Sequence, residues 1–257
     1  TGSASDLGDN ITGGGSADIF EFVTTELTTL DTVAGGDGTD TIRFITDEAV
    51  ALTDFTNVTS VEVLTTVAGQ QLTGNLGAAA MAAGITTVTF ADTGAGDNLT
   101  IDAEFTNALT VNLDATGVNA LDASAHTGVL TVNVTAAIAE AADQTVVAGT
   151  GTSDEILLTT DGGGITNLQM TEFTKFEKIT VVSDVASGTI VLDELNIDDG
   201  ATLTVDATAI TTATKAFTLD ARDDTNGKLV VLGGAGVNTI TGSASDLGDN
   251  ITGGGSA

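Results

Sequence analysis

The chain has no cysteine, proline, tryptophan or tyrosine, and only 6 of its 257 residues are Lys or Arg. Without cysteine, disulfides and thiolate-bound zinc are excluded. With so few cations, nucleic acid and anionic lipid are excluded as partners, because both are gripped through Lys and Arg. Aromatics make up 4% of residues. A core of Val, Ile, Leu, Ala and Thr with few large rings suits a narrow stack of short strands better than a thick globule. No stretch approaches the length of a membrane-spanning helix, so membrane insertion is not expected.

What the chain does have is acid. Its 36 Asp and Glu leave a formal net charge of −30. Charge of that size signals disorder only when hydrophobicity is also low. Here 41% of residues are hydrophobic and mean hydropathy is positive, at +0.28, so a folded chain is expected. Folding against such self-repulsion calls for counter-ions, and divalent cations are the natural choice.

Residues Thr1 to Ala17 read TGSASDLGDNITGGGSA, and Thr241 to Ala257 repeat them letter for letter. The sequence therefore restarts after 240 residues, the mark of a tandem array whose partners are neighbouring copies of the same repeat. Composition divides the module into three parts. Residues 1–45 and 233–257 are dense in Gly, Asp, Asn, Ser and Thr, the latter segment restarting the repeat, and 46–232 form the body.

The body is built of short alternating runs such as Thr87–Phe90, Leu109–Leu113, Leu130–Val134, Leu203–Val205 and Phe217–Leu219. These are period-2 strands rich in β-branched side chains, broken at the spacing of solenoid rungs. An aliphatic-Asp-Ala triplet recurs at Ile101-Asp102-Ala103, Leu113-Asp114-Ala115, Leu121-Asp122-Ala123, Val205-Asp206-Ala207 and Leu219-Asp220-Ala221. It reads as a corner, with the aliphatic residue inward and the Asp capping backbone amides. Phe55-Thr-Asn-Val58-x-x-Val61-x-Val63 echoes Phe173-Thr-Lys-Phe176-x-x-Ile179-x-Val181, as two similar rungs would. Only Leu76 to Ala83 and Ala136 to Ala142 are Ala-rich enough for helix, at most two turns each. The fold expected is all-β, with strands broken at solenoid-rung spacing.

The chemistry lies in the Gly-rich turns. Gly35-Gly36-Asp37-Gly38-Thr39-Asp40-Thr41-Ile42-Arg43 fits G-G-x-G-x-D-x-U-x at every fixed position, where U is large and apolar. Residues 233–241 fit with Gly236 and with Asn238 in the Asp position. A turn two residues longer follows at 242–252, with Asp249 two before Ile251; its copy has Asp9 before Ile11. At 13–21, Asp18 stands two before Phe20. Glycine permits the positive φ of a tight turn and exposes carbonyls. The Asp adds a carboxylate, and the apolar residue of the three-residue strand fills the core. Stacked turns would then offer the six to eight hard oxygens that suit Ca²⁺. A single GGxGxD is equally a Gly-rich β-turn; consecutive copies in an acidic chain favour calcium. Weaker partial matches occur at Gly149 to Ile156, with Asp154, and at Gly94 to Leu99.

These nonapeptides resemble the RTX (repeats-in-toxin) turns of bacterial secreted proteins. The segments FTNVTSVEV at 55–63 and VNALDASAHTGVLTVNV at 118–134 are similar to those of RTX-type S-layer proteins and giant surface adhesins. The likeness spans most of the module, but only the nonapeptides are specific; elsewhere it is compositional. It implies a right-handed parallel β-solenoid with RTX β-roll turns at the module ends and longer β-helix rungs between. It further implies calcium-dependent folding outside the cell, type I secretion and a place on the bacterial surface. Carried over residue by residue, it makes Asp40, Asp18 and Asp249 or its copy Asp9 the leading ligands, while Asn238 departs by lacking a charge.

The function expected is a structural repeat of a calcium-stabilised S-layer, sheath or filament. The alternative is an adhesin module gripping a glycan, such as cell-surface polysaccharide, or another cell. No enzyme is expected. The single histidine, His126, lies two residues from Ser124, a spacing that does not set nucleophile–base geometry, and it is expected to be a solvated turn residue. There is no phosphate-binding, dinucleotide or zinc signature.

Overall fold

The computed structural model describes residues 8–91, 96–113, 117, 119–140, 144–159, 165, 168–182 and 188–254. The chain winds as a parallel β-solenoid of about ten turns. An eleven-stranded sheet runs its whole length, from Ile19–Phe22 through Thr41–Phe44 and Val63–Thr66 to Lys228–Leu232 and Asn250–Thr252. This long sheet crosses residues 45 and 232 without a break. Three smaller parallel sheets close the other sides. The first short sheet holds Asn10–Gly14, Thr32–Gly36 and Val58–Thr59. A six-stranded middle sheet runs from Glu48–Val50 to Phe173–Thr174, and a last short sheet from Leu168–Gln169 to Val237–Thr241.

Alternation in the sequence becomes alternation in space. Along the long sheet Phe20, Ile42, Leu64, Val88 and Val111 stand one on another, all buried. The column continues through Val132 to Val231 and ends on Ile251. The few rings are spent inside: Phe22, Phe44, Phe55, Phe90, Phe105, Phe173 and Phe217 are fully buried. Phe22 and Phe44 stack at 6.4 Å between centroids. Truncating such a ring to alanine typically costs about 3–5 kcal/mol.

The five runs read as strands are strands. The two Ala-rich stretches give Ala78–Ala83 and Ala136–Ala139, the second capped by Thr135, whose hydroxyl accepts the Ile138 N–H at 3.3 Å. Ala141 and Ala142 lie outside the described residues.

The Asp-Ala corners form as the Asx pattern suggests. Asp122 and Asp206 each accept the backbone N–H two residues on, at 3.0 Å, over the buried Ala123 and Ala207. Asp220 and Asp102 do so more loosely, at 3.3 and 3.4 Å. Ala103 is exposed, so its corner opens outward; Asp114 and Ala115 lie outside the described residues.

One echo is real but slipped. Val58-Thr59-Ser60-Val61-Glu62-Val63, not Phe55 onward, matches Phe173-Thr174-Lys175-Phe176-Glu177-Lys178. Each is a two-residue strand, then a positive φ (53° at Ser60, 65° at Lys175), then a return to the long sheet. Apolar spacing at both registers is similar, so side-chain type alone favoured the wrong one. The backbone settles it. The N–H groups of Glu62 and Val63 both donate to Asp40 O, and those of Glu177 and Lys178 both donate to Asp154 O.

Candidate metal centre at the stacked glycine turns

Where each turn enters the long sheet, its last residue gives its carbonyl to the next rung and leaves its N–H pointing the same way. A carboxylate from that next rung folds back to accept it. Asp40 Oδ1 takes the Asp18 N–H at 2.8 Å, and Glu62 Oε2 takes the Asp40 N–H at 2.8 Å, in both cases from 22 residues on. Glu177 Oε2 likewise takes the Asp154 N–H at 2.7 Å, and at the entry to the first short sheet Asp31 Oδ1 takes the Asp9 N–H at 2.8 Å. The acids of the turn motif thus form an amide-capping ladder, whatever else they bind. Each rung of it satisfies a donor that would otherwise be left unpaired near the core.

The second carboxylate oxygen separates the expected site residues into two groups. Asp18 Oδ2 and Asp40 Oδ2 are buried with no hydrogen-bond partner. Both press against the first glycine of their own turn. A Cβ on Gly13 would lie 2.6 Å from Asp18 Oδ2, and one on Gly35 would lie 2.5 Å from Asp40 Oδ2. The two turns stack closely. The Asp37 N–H donates to Gly14 O at 2.9 Å, and a Cβ on Gly36 would stand 2.1 Å from that same oxygen. Gly36 and Gly38 hold φ of 109° and 129°, conformations open to glycine. Asp40 is fully buried, whereas Asp37 sits exposed at the loop tip.

Asp154 and Asp249 have both oxygens occupied. Asp154 accepts from Leu130 N at 2.8 Å and Gly149 N at 2.9 Å. Asp249 Oδ1 accepts from Leu229 N at 3.0 Å and Ser243 Oγ at 2.8 Å, and its Oδ2 accepts from Ser243 N at 2.7 Å. In the longer 242–252 turn Ser243, which follows the first glycine, thus fills the carboxylate. Of the weak match at 94–99, Gly94 and Ala95 lie outside the described residues, as do Thr1 to Leu7 and Gly255 to Ala257 of the duplicated segment.

Asn238 completes the comparison. Its Oδ1 accepts from Gly234 N at 3.0 Å, and its Nδ2 donates to Gly234 O at 2.9 Å and Gly236 O at 3.0 Å. Where a turn carries amide instead of carboxylate, the glycine carbonyls receive a proton donor from the side chain itself. The Asp40 carboxylate of the 35–40 turn carries no such donor, and its Oδ2 is left without a partner.

Asp18 and Asp40 are the residues that could hold a hard cation here, through buried carboxylate oxygens without partners beside glycines that leave room for them. Among the described residues no group of three or more His, Cys, Asp or Glu comes together. A cation here would rest on one carboxylate per turn with backbone oxygens supplying the rest, which is chemistry for Ca²⁺ rather than for zinc.

Sequence reasoning missed Glu62, Glu177 and Asp31, which do the same capping from outside the glycine motif. A Glu two residues before the strand's first inward residue marks Glu62 and Glu177. Burial, with the Asp154 carboxylate adding to it, pushes the Glu177 carboxyl above the ordinary range. His126 is a correction. It is fully buried rather than solvated, with Nε2 2.9 Å from Asn107 O and its ring 5.9 Å from that of Phe105. The Phe105 ring and the Asn107 carbonyl hold it inward.

No family model, no curated protein and no solved structure matches this chain.

Proposed function

We propose that the chain is a structural repeat of a secreted, calcium-stabilised bacterial surface polymer such as an S-layer, sheath or filament. The observation that carries this reading is the pair of orphaned oxygens, Asp18 Oδ2 and Asp40 Oδ2, buried at two consecutive glycine turns. Asn238 supports it, because its amide supplies to the carbonyls of its turn the positive partner that a cation would supply elsewhere. Among the described residues only three ion pairs form, Arg43–Glu21, Lys178–Glu155 and Arg222–Asp220. Most of the −30 charge therefore has no internal counterweight.

Calcium bound to the folded state alone would stabilise it by mass action, by about 2.7 kcal/mol at a hundred times Kd. Inside a calcium-poor cell, carboxylate repulsion would keep the chain loose enough to export; outside, the same acids would lock. The reading assigns no catalysis.

Calcium titration of the metal-stripped chain tests it, followed by thermal melting and by calorimetry. A melting temperature that climbs with calcium and falls again in excess EGTA is expected. An identical melting curve in EGTA and in millimolar calcium would overturn the reading.

A further inference from the structure

The duplicated segment appears twice in one chain, and its two copies occupy different sheets. Asn10 to Thr12 open the first short sheet, paired with Thr32 to Ala34. The identical Asn250 to Thr252 close the long sheet, paired with Val230 to Leu232. Both placements hold at once if the two copies are one and the same rung in a continuous array. We infer that successive modules join as an unbroken solenoid that shifts its sheets by one face at every joint. The long sheet of one module leads into the first short sheet of the next, and the last short sheet leads into the next long sheet. The partner is a second copy of this chain. The inference rests on the tandem array in the reading above, not on its calcium.

Three features run through the joint without interruption when Asp249 to Gly254 are laid on Asp9 to Gly14. The first is the amide-capping ladder: Asp249 caps the Leu229 N–H, and the N–H of its copy Asp9 is capped in turn by Asp31. The second is a close-packed glycine column. A Cβ on Gly254 would stand 1.8 Å from Gly234 O, and one on Gly36 would stand 2.1 Å from the oxygen of Gly14, the copy of Gly254. The third is the inward aliphatic column. Val231 supports Ile251, and the copy Ile11 supports Val33.

The terminal surfaces agree. Ile251 is 44% exposed where no further rung covers it, while its copy Ile11, covered by Val33, is only half-buried and packs on the core. Equivalence of Asn238 with Asp18 then sets the register of the other sheet across the joint. Thr239 of one module stands against Ile19 of the next, and Ile240 against Phe20, extending the inward column of Leu219 and Ile240.

The absence of native cysteine makes a clean test. In the full chain preceded by residues 1–240 of a second copy, cysteines replace Thr239 of the first copy and Ile19 of the second. Neighbouring parallel strands lie about 4.8 Å apart, within reach of a disulfide. Mild oxidation should bridge this pair as readily as a control pair, Ile19→Cys with Thr41→Cys, which are opposed within one module. A bridging control with an unbridged joint pair would overturn the inference. So would a bridge between Asn10→Cys and Ile19→Cys of the second copy, which the alternative of long sheet upon long sheet requires. The bridge is expected with or without EGTA. A failed calcium titration would therefore sink the calcium reading and leave the joint standing, while a failed bridge would do the reverse.

Discussion

The Asp40 N–H is held by the carboxylate of Glu62, 2.8 Å away on the next rung. Glu62 lies outside every glycine motif, yet it closes the ladder on which the Asp18 and Asp40 turns rest. Replacing it with alanine leaves that amide without its partner at the edge of the core, a loss of about 1–3 kcal/mol. Glu62→Gln keeps an acceptor oxygen and should cost less than half as much. Urea unfolding of the two variants checks the order, and equal losses would show that the hydrogen bond is not what Glu62 contributes.

Asp40→Asn and Asp154→Asn should behave oppositely. At Asp40 one oxygen can still accept the Asp18 N–H while the orphaned one becomes an amide, as Asn238 shows. The metal-free protein should then hold its stability or gain, and the calcium-induced rise in melting temperature should shrink. At Asp154 both oxygens accept backbone N–H groups, so the new amide meets a donor. The expected loss is about 1–3 kcal/mol with or without calcium. Melting curves of both variants in EGTA and in calcium read the four values.

In EGTA, stability should rise on mild acidification. Burial pushes the carboxyl groups of Glu48 and Asp54 above their ordinary values, although backbone N–H groups pull the other way. A carboxyl whose folded pKa is raised binds its proton better in the folded state. Its contribution is therefore full below the unfolded pKa and is lost as pH climbs through the folded one. Melting temperature should increase from pH 7 toward about pH 5, just above the ordinary carboxylate values. Glu48→Gln, which keeps an acceptor for the Thr25 N–H, should flatten the slope. A stability that falls steadily from pH 7 to pH 5 would contradict this.

Thr25, Ser60 and Lys175 all hold positive φ, at 64°, 53° and 65°. A left-handed conformation costs an ordinary residue about 1–2 kcal/mol relative to glycine. Glycine there also frees the unfolded chain, which takes part of that gain back. Each substitution to glycine should stabilise by roughly 0.5–1 kcal/mol, most at β-branched Thr25. Denaturant midpoints would show it.

Much of the fold was legible because inward and outward residues alternate so strictly: Leu109 to Leu113 and Leu130 to Val134 announce their strands and even their shared register. The spacing of turns was legible too, since only glycine tolerates the approach of Gly36 to Gly14 O. The faces were not. The letters NIT occur twice and lie in two different sheets, because which sheet a strand joins depends on the rung beneath it, not on the strand. The echo at 55–63 slipped by three residues because Val58 and Val61 repeat the spacing of Phe55 and Val58. His126 defied its polar surroundings through one carbonyl and one ring that sequence could not place beside it. At the turns, Asp18, Asp40, Asp154 and Asp249 look alike as letters, and only the count of donors around each carboxylate distinguishes the open ones from the filled.

The winding itself has a mechanical consequence. Every strand lies across the solenoid axis, so the hydrogen bonds between rungs point along it, and a pull from end to end loads them one rung at a time. A rung of 22 residues occupies about 4.8 Å of axis but releases roughly 70–80 Å of chain when it peels away. An array of such modules would lengthen more than tenfold before its covalent backbone bore the load, yielding in small, recoverable steps. Pulling a tethered multi-module chain in an optical trap would show a sawtooth of short extensions, and cysteine bridges between rungs would erase it step by step.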